Sequence, residues 1–302
     1  KDVALDLYHE LEKTYTQVDG EIPMVKRVPP KTLEAWRAAG IVPRGAMREI
    51  MEMMHRTAMG VDQDYENITK QISRTALADG WGGSMVSTDI SDILFGTPSP
   101  VEVEVDMGVL KEDHVNIIVH GHEPNLLESM VVSSADPTLT EAAKTAGAKG
   151  INLVGMCCSG LEALSRHGLP HAGNFSSTEA VLVTGAVDAM TVDIQCIKQA
   201  MQKVADFYDT PFITTNYRAK IEGALHIQLD EHNPRECTDE IVIKAITRYK
   251  TRKKPIQIPR NKATGVHGFS FEYVNYMLGG SFRGSYTPLN DNIINGRIRG
   301  VA

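Results

Sequence analysis

The stretch His114-Val115-Asn116-Ile117-Ile118-Val119-His120-Gly121-His122-Glu123-Pro124 decides the fold. Its first six residues form a short, mostly apolar run with several β-branched side chains. A run of that length is short for a helix and fits a strand covered on both faces. Working outward, the same grammar returns. Ile151-Asn152-Leu153-Val154-Gly155, Met190-Thr191-Val192-Asp193-Ile194 and Pro211-Phe212-Ile213-Thr214-Thr215 read as strands of the same kind. Val101, Val103 and Val105 alternate with acids, as in a half-buried strand. Helical stretches fall between the strands, at 137–146, 161–167, 177–184, 197–207 and 239–253. Strand, helix and strand at this spacing predict a parallel sheet with crossover helices.

Before residue 100 the pattern is helical. The segments 2–17, 31–39, 44–58, 62–79 and 87–95 read as helices. The first carries Val3, Leu5, Leu7, Tyr8 and Leu11 at helical spacing, and the second carries Leu33, Trp36 and Ala39 with Gly40 as its stop. Met47, Met51, Met53 and Met54 in the third read as core packing. Residues 20–30 read as a loop. Gly96-Thr97-Pro98-Ser99-Pro100 is the best boundary in the chain, because its prolines stop a helix and favour extended backbone. The expected fold class is α/β, with an N-terminal helical region over 1–100 followed by a Rossmann-like parallel α/β domain over 101–302. The chain opens on Lys1 without Met, and 296–302 read as the start of another strand. An internal piece of a longer protein is therefore expected.

Composition narrows the function. The 302 residues carry 31 Lys+Arg against 38 Asp+Glu, a net charge of −7, which argues against general nucleic-acid binding. No run of about 18 apolar residues predicts a membrane span. The cysteines are Cys157, Cys158, Cys196 and Cys237. Neighbouring Cys157 and Cys158 are poorly placed to pair with each other, and a chain this long needs no disulfides. A reducing compartment is expected, hence a cytoplasmic location.

Ligands of an open parallel sheet bind beyond the carboxyl ends of its strands. His120-Gly121-His122 follows the first buried strand, Met156-Cys157-Cys158-Ser159-Gly160 the second, and Gln195-Cys196 the third. Three strand ends thus each offer an imidazole or a thiol. His122 to Cys158 and Cys158 to Cys196 are 36 and 38 positions apart, about one βαβ unit each. The candidate metal ligands are His122, Cys158 and Cys196. Thiolate with imidazole suits iron, iron–sulfur clusters, zinc or nickel. The bland alternatives are a hydrogen-bonding loop histidine and small buried thiols. Cys237 reads as incidental, His167 and His171 as structural, and His55 as solvated or interfacial. Gly147-Ala148-Lys149-Gly150 precedes a strand instead of following one, and the 155–160 loop lacks the dinucleotide fingerprint spacing. No Gly-x-Ser-x-Gly elbow is present.

The chain resembles the catalytic subunit of anaerobic nickel–iron carbon monoxide dehydrogenases. The resemblance rests on His55-Arg56-Thr57-Ala58-Met59-Gly60-Val61-Asp62, Asp92-Ile93-Leu94-Phe95-Gly96-Thr97-Pro98 and Gly108–Lys111. It continues through Val119-His120-Gly121-His122, Gly155-Met156-Cys157-Cys158, Arg166-His167-Gly168 and Gly185-Ala186-Val187-Asp188-Ala189-Met190 to Asp193-Ile194-Gln195-Cys196, so it spans essentially the whole chain. Met59-Gly60-Val61-Asp62-Gln63-Asp64-Tyr65-Glu66-Asn67 and Ala78-Asp79-Gly80-Trp81-Gly82-Gly83 are similar to the large subunit of the archaeal acetyl-CoA decarbonylase/synthase complex.

The resemblance implies a helical domain and two Rossmann-like domains, of which this chain holds the first. It implies a Ni-Fe-S cluster of the C-cluster type that interconverts CO and water with CO2, two protons and two electrons. His122 and Cys158 would bind an outer iron, and Cys196 an iron of the cubane. The family's other cluster cysteines, its catalytic lysine, its proton-relay histidines and its 4Fe-4S electron-transfer clusters would lie outside this piece, which alone would be inactive. Implied partners are CO and CO2, ferredoxin, a second copy in a homodimer, and a larger acetyl-CoA complex, with no nucleic acid and no membrane. The rival readings are a hybrid-cluster, hydroxylamine reductase-like protein, a metal-free scaffold and, more distantly, a zinc hydrolase.

Overall fold

The computed structural model describes residues 1–252, 255–277 and 287–300. The chain divides into two compact units, Lys1–Gly96 and Thr97–Ala302.

The first unit is helical. Its helices are α1 (Asp2–Thr16), α2 (Pro30–Ala39), α3 (Ala46–Arg56), α4 (Tyr65–Leu77) and α5 (Met85–Phe95). Pro30 opens α2, where its missing N–H costs nothing, and Gly40 closes it with φ +69. Helix α4 starts at Tyr65 because the Asp64 carboxylate caps the Glu66 and Asn67 N–H groups, so the expected start at residue 62 is corrected. A π-helical segment, Ala78–Ser84, then runs into α5.

The expected loop at 20–30 holds a 3-10 turn, Pro23–Arg27, whose Met24 and Val25 are buried beside Ile22 and Val28. This small apolar centre is joined by a buried carboxylate. Glu49 is 0% exposed. Its oxygens accept from Arg44 Nε at 2.9 Å, Gln71 Nε2 at 2.8 Å and Arg74 Nε at 3.2 Å. The core-packing expectation for the methionines is corrected here. Met47, Met51 and Met54 are exposed, because Glu49 and Ala46 take the buried face of α3. In α1 the fully buried residue is Thr14, while Val3, Leu5 and Tyr8 are exposed.

The second unit is a sheet with helices on both faces. In chain order its elements are β1 (Val101–Val105), β2 (Val115–His120), α6 (Pro124–Ser134), α7 (Pro137–Thr145), β3 (Ile151–Met156), α8 (Cys157–His167), β4 (His171–Gly173), α9 (Thr178–Val183), β5 (Val187–Val192), α10 (Met201–Phe207), β6 (Phe212–Thr214), β7 (Leu225–His226), α11 (Pro234–Tyr249), β8 (Ala263–His267), α12 (Phe271–Met277) and α13 (Thr287–Ile294). The strand order is β7-β6-β5-β2-β3-β4-β1-β8. All pairings are parallel except β1 with β8 at the edge. This is the Rossmann-like α/β fold class expected from the sequence.

Every residue of β2 is buried, which explains its apolar run. Alternate side chains feed two cores. Val115, Ile117 and Val119 pack with Leu126, Leu127 and Met130 of α6 and with Ile241, Val242 and Ala245 of α11. Ile118 packs on the other face with Met156, Met190, Val192 and Phe212. Each fully buried aliphatic side chain of this kind contributes about 1.5–3 kcal/mol.

Several boundaries differ from the sequence expectation. Strand β5 ends at Val192, and α10 starts at Met201 rather than at 197, which leaves 193–200 as a loop. Helix α8 starts at Cys157 rather than at 161, so both adjacent cysteines sit in its first turn. Helix α11 starts at Pro234 and ends at Tyr249, which puts Cys237 inside it and buries the thiol. Helix α6 and strands β4, β7 and β8 were not anticipated. No strand forms over 297–300, and the expected strand's last two residues, 301–302, lie outside the described residues.

Candidate metal centre

The strand order reverses between β2 and β5: β3 and β4 lie on one side, β6 and β7 on the other. Such a switch point opens a crevice at the carboxyl ends of the strands. His120 of β2 pairs with Met156 of β3 and with Val192 of β5, so the three strands end level. Each then turns into a segment carrying one candidate ligand.

The turn after β2 is held by a carboxylate from β5. Asp193 is 0% exposed. Its Oδ1 accepts the His122 N–H at 2.6 Å and its Oδ2 accepts the Glu123 N–H at 3.1 Å. The Ile194 N–H also donates to it. Gly121 has φ +137, and a Cβ there would stand 1.8 Å from Asp193 Oδ1. Glycine is therefore required at 121 both for its backbone and for the space the carboxylate fills. Burial pushes the Asp193 carboxyl above its usual range, against the N–H groups that favour its charge.

The turn after β3 begins a helix directly. A Cβ on Gly155 would stand 2.4 Å from Gly160 Cα, so these two glycines let α8 pack against its own strand. Cys157 takes φ +57 at the junction. The Ser159 N–H donates to Gly121 O at 2.8 Å, which ties the β2 and β3 turns together. Cys157 is buried and Cys158 is exposed. Burial raises the Cys157 thiol, and Cys196 and Cys158 raise it further. Burial also raises the Cys158 thiol, followed by Cys196 and Glu162. These mutual effects place the three thiols in one electrostatic neighbourhood.

The turn after β5 is strained. Gln195 and Cys196 take φ +59 and +48, a left-handed conformation that costs a non-glycine residue about 1–3 kcal/mol. The strain presents the exposed Cys196 Sγ 3.9 Å from His122 Nε2. The ring's other nitrogen, Nδ1, lies 3.1 Å from Ile194 O. A carbonyl can only accept, so Nδ1 carries the proton and Nε2 keeps its lone pair free. A neighbour that fixes the tautomer in this way is a common feature of metal-binding histidines.

His122 and Cys196 are thus brought together. Cys158 stands exposed in the first turn of α8, which the Ser159–Gly121 bond ties to the His122 turn. Among the described residues no three His, Cys, Asp or Glu side chains converge on a single metal position. The donor set, one imidazole with exposed free thiols, fits an iron–sulfur cluster.

Cys237, His167 and His171 have partners of their own. The Cys237 thiol donates to Ile227 O, and burial, then Glu240, push it up to about 11. His167 Nε2 pairs with Glu128 at 2.8 Å, and His171 Nε2 contacts Cys157 O at 3.2 Å. His55 is exposed. The sequence reading missed Asp193 as the organiser of the site. Its signal was an acid at the end of an otherwise apolar strand.

The Prismane/CO dehydrogenase family profile matches residues 1–302. Carbon monoxide dehydrogenase 1 of Methanosarcina mazei is 44% identical over 302 residues, covering all of this chain and 48% of the relative. A nickel-free, as-isolated crystal structure of carbon monoxide dehydrogenase from Thermococcus sp. AM4 superposes with a TM-score of 0.92 at 42% identity, covering 99% of this chain and 47% of that one. A structure of acetyl-CoA synthase/carbon monoxide dehydrogenase, described with NiZn[Fe4S4] and NiNi[Fe4S4] clusters in its alpha subunits, gives 0.91 at 38% identity, covering 99% and 45%. The chain spans about half the length of the relatives it matches.

Proposed function

The chain belongs to the Prismane/CO dehydrogenase family, and from that premise we propose that it is part of a carbon monoxide dehydrogenase. The reaction is the interconversion of CO and water with CO2, two protons and two electrons. The observation that carries the reading is the meeting of His122 Nε2 and Cys196 Sγ at the β2–β5 switch point, 3.9 Å apart.

His122, Cys158 and Cys196 would hold part of a C-cluster-type Ni-Fe-S group. When bound, that group supplies a Lewis-acidic site for the substrates and a reservoir for the two electrons. This chain's residues do the holding. Asp193 fixes the His122 backbone, and the Ile194 carbonyl fixes the ring's tautomer, so Nε2 faces the crevice. The left-handed turn at 195–196 presents the Cys196 thiol beside it. Cys158 stands exposed in the first turn of α8.

Residues 1–100 would be the helical domain and 101–302 the first Rossmann-like domain of the subunit. Remaining cluster ligands and 4Fe-4S electron-transfer clusters would come from sequence beyond this chain. The proposed partners are CO and CO2, ferredoxin as electron carrier, a second copy of the subunit, and an acetyl-CoA-forming complex. Similarity to an acetyl-CoA synthase/carbon monoxide dehydrogenase structure supports the last. No helix among the described residues is long and apolar enough to cross a membrane. A cytoplasmic location is proposed with it.

The test is CO-dependent reduction of a viologen dye by the anaerobically purified full-length subunit that contains this chain, with nickel and iron measured in the same sample. CO oxidation with both metals present supports the reading. Iron without nickel, together with hydroxylamine reduction, would replace it with the hybrid-cluster alternative.

A further inference from the structure

Lys198 lies two residues beyond Cys196 on the 193–200 loop, half-buried. Its Nζ stands 4.3 Å from the centroid of the Phe175 ring. Phe175 opens the turn after β4, where its carbonyl accepts from Thr178 Oγ1 at 2.8 Å, and the same hydroxyl contacts His120 Nε2 at the end of β2 at 3.3 Å. The ammonium is therefore pinned above the same strand ends that carry the thiols. A cation–π contact holds it there, with no carboxylate ion pair among the described residues.

One buried carboxylate, Asp193, lies under the His122 turn. Metal binding would add thiolate charge at Cys158 and Cys196. Adding an electron to such a centre raises its negative charge further. A fixed cation beside it favours the reduced state, and net charge is among the main determinants of iron–sulfur potentials. An ammonium paired with a carboxylate would be neutralised; one resting on an aromatic face keeps its charge.

We propose that Lys198, held over Phe175, is a positioning residue that raises the reduction potential of the metal centre bound by His122, Cys158 and Cys196. The proposal rests on the metal-centre reading given above. It assigns the 193–200 loop an electrostatic task in addition to carrying a ligand.

The experiment is an EPR-monitored redox titration of the anaerobically purified full-length subunit that contains this chain, with iron per chain measured alongside. Lys198→Gln should shift the midpoint potential to more negative values with the iron content unchanged. Lys198→Arg should restore it. Phe175→Leu, which frees the ammonium, should shift it in the same direction by less, and it carries the test if Lys198→Gln loses iron. An unchanged midpoint in the iron-replete Gln variant, or equal shifts in the Gln and Arg variants, would overturn the assignment while leaving the metal centre intact. Absence of iron from the wild type would remove the metal-centre reading and this inference with it.

Discussion

The Asp193 carboxylate crosses from the end of β5 to the end of β2 and accepts the His122 N–H at 2.6 Å. One buried side chain thus positions a residue 71 places earlier in sequence. Removing its charge weakens two inter-strand bonds at once, and hydrogen bonds to a charged group are worth about 1.5–3 kcal/mol each. Asp193→Asn should destabilise the protein by about 2–4 kcal/mol in urea unfolding and lower its iron content. Wild-type stability and iron in this variant would show that the carboxylate does not organise the site.

Gly121→Ala attacks the same contact from the other side. The new methyl would sit where Asp193 Oδ1 now lies, on backbone at φ +137. Backbone strain of this kind costs about 1–3 kcal/mol, and the displaced carboxylate adds to it. The variant should lose at least as much stability as Asp193→Asn. The double variant should lose less than the sum, because both changes break one arrangement. Strict additivity in that cycle would contradict the coupling.

The helical unit should be acid-sensitive. Burial opposes ionisation of Glu52, but Arg44 and Arg48 outweigh it and hold the carboxyl at about 2, against an ordinary 4.5. Glu49 is lowered too, again against burial, by Arg44 and Gln71. A depressed carboxylate stabilises the folded state above its unfolded pKa, and that stability is lost as pH falls through the folded value. Helical circular dichroism should therefore hold above about pH 4.5 and fade as pH drops toward 2. Glu49→Gln should remove about 3 kcal/mol at neutral pH, because Arg74 loses its carboxylate partner while Arg44 keeps Glu52, and it should flatten the acid response. An unaltered acid profile would exclude the network as its cause.

The four thiols should divide by reactivity. Cys158 and Cys196 are exposed, whereas Cys157 and Cys237 are buried, with Cys237 pushed up to about 11. In metal-free protein at pH 8, brief iodoacetamide treatment followed by peptide mass spectrometry should label Cys158 and Cys196 first. Metal loading should protect both and leave Cys237 unreactive throughout. Early labelling of Cys237 would contradict its buried placement in α11.

Much of the fold was legible because β2, β3 and β5 are buried on both faces and so read as apolar runs. The three ligand candidates were legible for the same reason, since each follows such a run. Strands β4 and β7 span only His171–Gly173 and Leu225–His226, too short to carry a pattern. Strand β8, Ala263–His267, is an exposed edge with little apolar character. The methionines of α3 misled because the buried face of that helix is built on Glu49, an inversion of the usual amphipathic rule. Asp193 was passed over because its partners are backbone N–H groups, which no side-chain motif records.

The most direct test of the central claim is iron and nickel per chain in the anaerobically purified full-length subunit as wild type, His122→Ala, Cys158→Ala and Cys196→Ala, with Cys237→Ala as control. The account predicts bound iron in the wild type and the control, and a marked loss in each of the other three with the fold retained by circular dichroism. Equal metal content in all five proteins would contradict it.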